Sequence, residues 1–172
     1  DVRRVDFSDV KVTVSLPVLD EISLYGSGDF FADRIVTKAM TVSIMGSGDI
    51  KVKEMHGSSV KYTISGSGDI VIDKTAATQL QCLVHGSGDI ALDEVKTTTV
   101  TSTVNGSGDI TIKNLLTTRS DFTVNGTGDI SVKGETTTAS FSVNGTGDIN
   151  AQGLNYVKST KSCPGTGSIN AK

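Results

Sequence analysis

Gly66-Ser67-Gly68-Asp69-Ile70-Val71-Ile72 sets the fold of this chain, because the same phrase returns along almost its whole length. A Gly-Ser/Thr-Gly-Asp/Ser turn followed by an aliphatic or aromatic residue opens at Gly26, Gly46, Gly66, Gly86, Gly106, Gly126, Gly145 and Gly165. The interval is twenty residues except for one of nineteen. Such regularity marks units that cannot bury an apolar face alone and that stack on their neighbours.

Working outward from the turn, the residue after Asp is Phe30, Ile50, Ile70, Ile90, Ile110, Ile130, Ile149 or Ile169, apolar in every copy. Two places on stand Ala32, Val52, Ile72, Leu92, Ile112, Val132, Ala151 and Ala171, with Lys51, Thr111, Ser131 and Asn150 among the residues between. This period-two alternation is that of a strand with one buried face. On the other side of the turn Leu24, Ile44, Ile64, Val84, Val104, Val124, Val143 and Cys163 follow polar neighbours such as Ser23, Thr63 and Ser142. A second strand therefore enters each corner. A weaker column holds Ile35, Met55, Val95, Leu115 and Leu154, which predicts a third, short strand per coil.

The expected fold is all-β: a single-domain parallel β-helix spanning 1–172, with about twenty residues per coil and eight clear coils. At about 4.8 Å per coil it forms a rod of roughly 38 Å. The Gly pair answers a corner that demands positive φ or close backbone approach. Leucine-rich repeats, propeller blades and hexapeptide helices need other periods. The register continues upstream, where Asp6-Phe7-Ser8-Asp9-Val10-Lys11-Val12 reads as a decayed copy. Residues 1–25 thus form an N-terminal coil and cap, and 26–172 the glycine-turn coils. Lys161 in an apolar column and Ser168 in the Asp column read as an edge made polar against end-to-end pairing.

Composition narrows function mainly by exclusion. A net charge of -3 argues against a basic nucleic-acid surface and a polybasic membrane patch. No run reaches the roughly 20 apolar residues that span a bilayer, so no membrane insertion is expected. Opening at Asp1 rather than Met agrees with a processed product or a trimmed chain, and permits export without showing it. Cys82 and Cys163 fall four coils apart, near 19 Å at about 4.8 Å per coil, too far for a disulfide; both are expected to be buried free thiols.

Asp29, Asp49, Asp69, Asp89, Asp109, Asp129 and Asp148 form the strongest candidate column, since stacking sets like charges on the order of 5 Å apart. The favoured reading is that each Asp accepts backbone N–H groups of its own turn. The alternative is a calcium ladder on Asp49, Asp69, Asp89, Asp109 and Asp129, although one carboxylate per turn and a period of twenty match known calcium repeats poorly. No catalytic residue, cofactor or metal is therefore assigned.

A pectinase-like enzyme would gather acidic and basic residues from adjacent coils. Here the carboxylates repeat without converging, and His56, His85, Arg3, Arg4, Arg34 and Arg119 are scattered. Charges alternating in the columns Arg34, Glu54, Lys74, Glu94 and Asp33, Lys53, Asp73, Asp93, Lys113, Lys133 read as exposed cross-strand pairs. Thr97, Thr98, Thr99, Thr117, Thr118, Thr136, Thr137 and Thr138 are expected on one outer face, and Thr101, Thr103, Thr123, Ser140 and Ser142 on another. High β-propensity accounts for both sets better than an ice-binding array does. Asn105, Asn125 and Asn144 read as a short ladder bonded along the axis.

The run of Gly-Ser-Gly-Asp-Ile, Gly-Thr-Gly-Asp-Ile-Asn and a final Gly-Ser-Ile-Asn resembles a bacterial family of auto-transporter adhesins, the head GIN domain, over roughly Val10 to Lys172. Leu16-Pro17 and Leu19, leading into Ile22-Ser23-Leu24-Tyr25-Gly26-Ser27-Gly28, also look like the family's approach to its first turn. The resemblance implies a right-handed helix and an exported protein, in the bacterial envelope or secreted. It supplies no catalytic or ligand residue. Together the two lines predict a non-enzymatic adhesin that presents a flat polar face to a glycan or surface protein, with Phe31 and Tyr25 the best exposed aromatics. A carbohydrate-active enzyme and a purely structural scaffold are the alternatives.

Overall fold

The computed structural model describes residues 19–172, so the decayed turn expected at Asp6–Val12 lies outside the described residues. The strands are β1 (Glu21–Leu24), β2 (Phe30–Val36), β3 (Ala39–Ile44), β4 (Ile50–Ile64), β5 (Ile70–Val84) and β6 (Ile90–Lys96), followed by β7 (Thr99–Val104), β8 (Ile110–Val124), β9 (Ile130–Val143), β10 (Ile149–Ser162) and β11 (Ile169–Ala171). All pair in parallel with the coil before or after, in the register the repeat predicts: Phe30 opposite Ile50, Ile50 opposite Ile70, and so on to Ile149 opposite Ile169. The chain is a β-solenoid. Its strands make one continuous sheet wound around a single core.

Each coil bends where the alternation breaks. In β4, Ile50 and Val52 point inward, then Lys53 and Glu54 both turn outward before Met55 returns to the core. A second break at His56–Ser59 separates Met55 from Val60, Tyr62 and Ile64. The chain thus has the two good strands and one short one that the columns predict. In two coils the strand is interrupted at the second corner: β2 and β3, like β6 and β7, trace together the path that β4 runs unbroken.

A further inward column, Met40, Val60, Leu80, Val100, Ser120 and Ala139, completes the core. The repeat hides it because Ser120 and Ala139 dilute its apolar character. Burying one Ile or Leu side chain stabilises the fold by about 1.5–3 kcal/mol, so the stacked columns dominate the energetics. Phe122 stacks on Phe141 with centroids 5.8 Å apart, and the Tyr62 hydroxyl meets Thr75 Oγ1 at 3.1 Å in the interior.

The corner glycines are explained by close approach rather than by positive φ. Of them only Gly26 has positive φ; on Gly66 or Gly88 a Cβ would overlap the carbonyl oxygen of Gly46 or Gly68 one coil below. The nineteen-residue coil loses its residue at another corner. Ile112 pairs with Val132 but Leu115 pairs with Gly134, which takes φ +130° and on which a Cβ would overlap the main chain of Leu115.

The ends depart from the pattern. Lys161 donates from Nζ to the carbonyls of Ala171 and Lys172 at 2.8 and 2.9 Å, so its polar head closes an edge that an apolar residue would leave bare. Cys163 is exposed, which corrects its expected burial. Cys163 follows directly on β10, and among the described residues no coil stacks on the end of that strand, so an inward column there has nothing to pack against.

Candidate interaction face

The Asp column is the most regular polar feature, and its bonding differs from a turn that holds itself. Each carboxylate reaches along the axis: Asp49 Oδ1 accepts the Asp69 N–H at 2.9 Å, Asp69 Oδ1 that of Asp89 at 2.8 Å, and Asp129 Oδ1 that of Asp148 at 2.7 Å. Accepting amides of the next coil, not of its own turn, lets the side chain clip two corners together. A hydrogen bond to a charged acceptor offsets the stacking of like charges. The series ends at Ser168, which donates both its N–H and its Oγ to Asp148. For the calcium alternative on Asp49, Asp69, Asp89, Asp109 and Asp129, one oxygen of each carboxylate is already bonded.

The Asn ladder forms as expected. Asn125 donates from Nδ2 to Asn105 Oδ1 at 2.8 Å and Asn144 to Asn125 Oδ1 at 2.7 Å; His85 Nδ1 lies 3.2 Å from Asn105 Nδ2 and extends the ladder by one coil. The charge columns pair only in part. Lys53 meets Asp33 and Lys113 meets Asp93, each at 2.7 Å, and the loose Arg34–Glu54 contact is 3.6 Å. Hydrogen bonding to Lys53 lowers the Asp33 carboxyl and raises the Lys53 ammonium, at a fully exposed site where such a pair adds little. Among the described residues no salt bridge joins Lys74 to Glu54 or Glu94.

The two threonine sets separate. Thr117 and Thr136, expected on the surface, are buried at the second corner. There Thr117 Oγ1 donates to the Thr98 carbonyl at 3.0 Å and Thr136 Oγ1 to that of Thr138 at 3.0 Å. Turning onto a main-chain carbonyl gives each buried hydroxyl a partner, as a polar group taken out of water requires; the Thr98 carbonyl also accepts the Thr118 and Arg119 amides. Thr101, Thr103, Thr123, Ser140 and Ser142 instead point outward on the broad face made by β3, β7 and the later halves of β4, β5, β8 and β9.

A trough of about 430 Å³ runs along this face across four coils. Ser59, Gln79 and Thr99 wall one side, and Lys61, Gln81 and Thr101 the other. Met40, Val60 and Leu80 lie between these walls with their side chains in the core, so main chain forms the floor. Amides and hydroxyls fill it; among the described residues Lys61 is the one charged group in its lining, and Glu and Asp are absent from it. The columns contained this feature, but it is legible only once Gln79, Gln81 and Lys61 are seen to replace Ser and Thr on both sides of the hidden Met40–Val60–Leu80 column. A second groove of about 310 Å³ lies beside the glycine corner, lined by Asp109, Asp129, Asp148, Thr111, Ser131 and Asn150 among others. The expected aromatics Phe31 and Tyr25 are each 70% exposed, but neither lines the trough.

In comparison with known families, the family described as "Putative auto-transporter adhesin, head GIN domain" matches residues 1–117. The matched span includes the whole trough and the first five glycine turns. No curated protein and no solved structure matches the chain.

Proposed function

Because the chain belongs to the auto-transporter adhesin, head GIN domain family, we propose that it is a non-enzymatic adhesion module whose broad face docks on a glycan. The family name suggests an adhesin-like protein that is exported or held in the envelope. The observation that carries the reading is the trough: Gln79, Gln81, Thr99, Thr101, Ser59 and Lys61 offer donors and acceptors in two parallel rows. Sugar hydroxyls need such paired polar groups. The rows stand on strands paired on both sides, so little conformational freedom is lost on binding. A span of four coils covers roughly 14 Å, which suits several consecutive sugar units rather than one.

Two features support binding without turnover. General acid–base chemistry on a glycosidic bond needs a pair of carboxyl groups flanking that bond. Among the described residues the trough contains none, and the carboxylates of the second groove, Asp109, Asp129 and Asp148, are each engaged by an amide of the next coil.

The test is a glycan array read alongside product analysis. The expected result is retention of a subset of glycans with no reducing ends released. A Lys61→Ala, Gln79→Ala, Gln81→Ala variant should lose at least about tenfold in affinity, the effect of roughly 1.4 kcal/mol from a few hydrogen bonds, while its melting temperature stays unchanged. Equal binding by the variant would overturn the assignment of the face. Retention of surface proteins but no glycan would overturn the assignment of the ligand, and released sugar the non-enzymatic reading.

A further inference from the structure

Asn105, Asn125 and Asn144 are each followed by glycine, at Gly106, Gly126 and Gly145, whereas Asn114, Asn150, Asn155 and Asn170 are followed by Leu, Ala, Tyr and Ala. An Asn-Gly step is chemically labile, because without a Cβ on the second residue its backbone nitrogen can swing onto the Asn side-chain carbonyl. All three Asn side chains are exposed, so neither water nor base is kept from them. We propose that these three residues are deamidation sites, held unreactive by their ladder while the solenoid is folded and released when a rung opens.

The reaction needs only solvent. The glycine nitrogen, having lost its proton to a solvent base, attacks Asn Cγ; a C–N bond forms, the Cγ–Nδ2 bond breaks and ammonia leaves with a proton from water. Water then opens the cyclic imide, adding hydroxide to one carbonyl and a proton to the nitrogen, and yields aspartate or its β-linked isomer.

Both reacting ends are tied down in the fold. The leaving nitrogen donates to the rung below: Asn105 Nδ2 to His85 Nδ1 at 3.2 Å, Asn125 Nδ2 to Asn105 Oδ1 at 2.8 Å, and Asn144 Nδ2 to Asn125 Oδ1 at 2.7 Å. The attacking nitrogens are bonded too, Gly106 N–H to the Val84 carbonyl at 3.2 Å, Gly126 N–H to Val104 at 3.2 Å and Gly145 N–H to Val124 at 3.3 Å. Attack requires breaking two to three of these bonds at once, which slows it about a hundredfold at roughly 1 kcal/mol each.

The rungs are unequal, and this sets an order. Asn125 is gripped on both sides. Asn105 hangs on the longer contact to His85. Asn144 has an open end, since Pro164 occupies the next position in the column and the one further contact of its Oδ1 is Ser142 Oγ at 3.5 Å. Conversion of Asn144 removes the donor that holds the Asn125 carbonyl, so opening spreads from that end.

The experiment is peptide mapping by mass spectrometry on the full chain aged at mildly alkaline pH, folded or in urea. The expected result is deamidation at all three sites in urea, about a hundredfold slower in the folded protein, with Asn125 slowest there. An Asn125→Ala variant should speed Asn144 and Asn105 severalfold; if it does not fold, the ordering within the unaltered chain decides. Equal rates folded and unfolded, or Asn125 converting first in the folded protein, would overturn the proposal.

Discussion

The glycine corner and the broad face meet the same stacking geometry with opposite tolerances. At the corner, backbones of successive coils come so close that a Cβ on Gly66 or Gly88 would overlap a carbonyl of the coil below. Across the trough, Ser59, Gln79 and Thr99 stand opposite one another in register, so one position of the coil carries three different side chains. Stacking pressure concentrates at the glycine corner, with Gly134 a further tight point at another corner, and the broad face is free to vary. Recognition is therefore expected on the face, and stability at the corner.

The sharpest way to break this contrast is Gly88→Ala, which drives a methyl into Gly68. It should cost about 3 kcal/mol or more, read as a shift in the urea midpoint, whereas Ser59→Ala should stay within about 0.5 kcal/mol. Similar losses at the two sites would show the corner to be no tighter than the face.

A smaller effect tests the carboxylate clip. Asp89→Ala leaves the Asp109 N–H without its acceptor at 2.8 Å and should cost about 1 kcal/mol, while Asp89→Asn keeps an oxygen there and should cost less. Identical stabilities of the three proteins would remove the clip from the account.

The smallest effects concern the thiols. Cys163 should react with a thiol reagent in the folded protein and Cys82 only on unfolding, because one is exposed and the other buried. Burial pushes the Cys82 thiol up to about 12 from 9.0, and it raises the Tyr62 hydroxyl as well. Both groups ionise first in the unfolded chain, so stability is full below the unfolded values and falls as pH rises through them. A urea midpoint that does not fall on going to strongly alkaline pH, or that falls equally in Cys82→Ala, would count against a neutral buried thiol.

Coil, period, register and most of the core are legible in the residues alone, since Gly-x-Gly-Asp-Ile fixes a corner and an inward residue in one phrase. The sequence also placed the Asn105–Asn125–Asn144 ladder, because identical residues at identical positions must meet when coils stack. Three matters needed the tertiary structure. The Asp side chains bond to the next coil rather than their own turn, which depends on where the neighbouring amide lies. Thr117 and Thr136 turn inward, and Cys163 outward, because burial depends on a bend or on what stacks beyond, not on column membership. The trough was hidden for a similar reason: its floor is main chain, and its walls are outward columns whose depth comes from the spacing of two rows across the sheet.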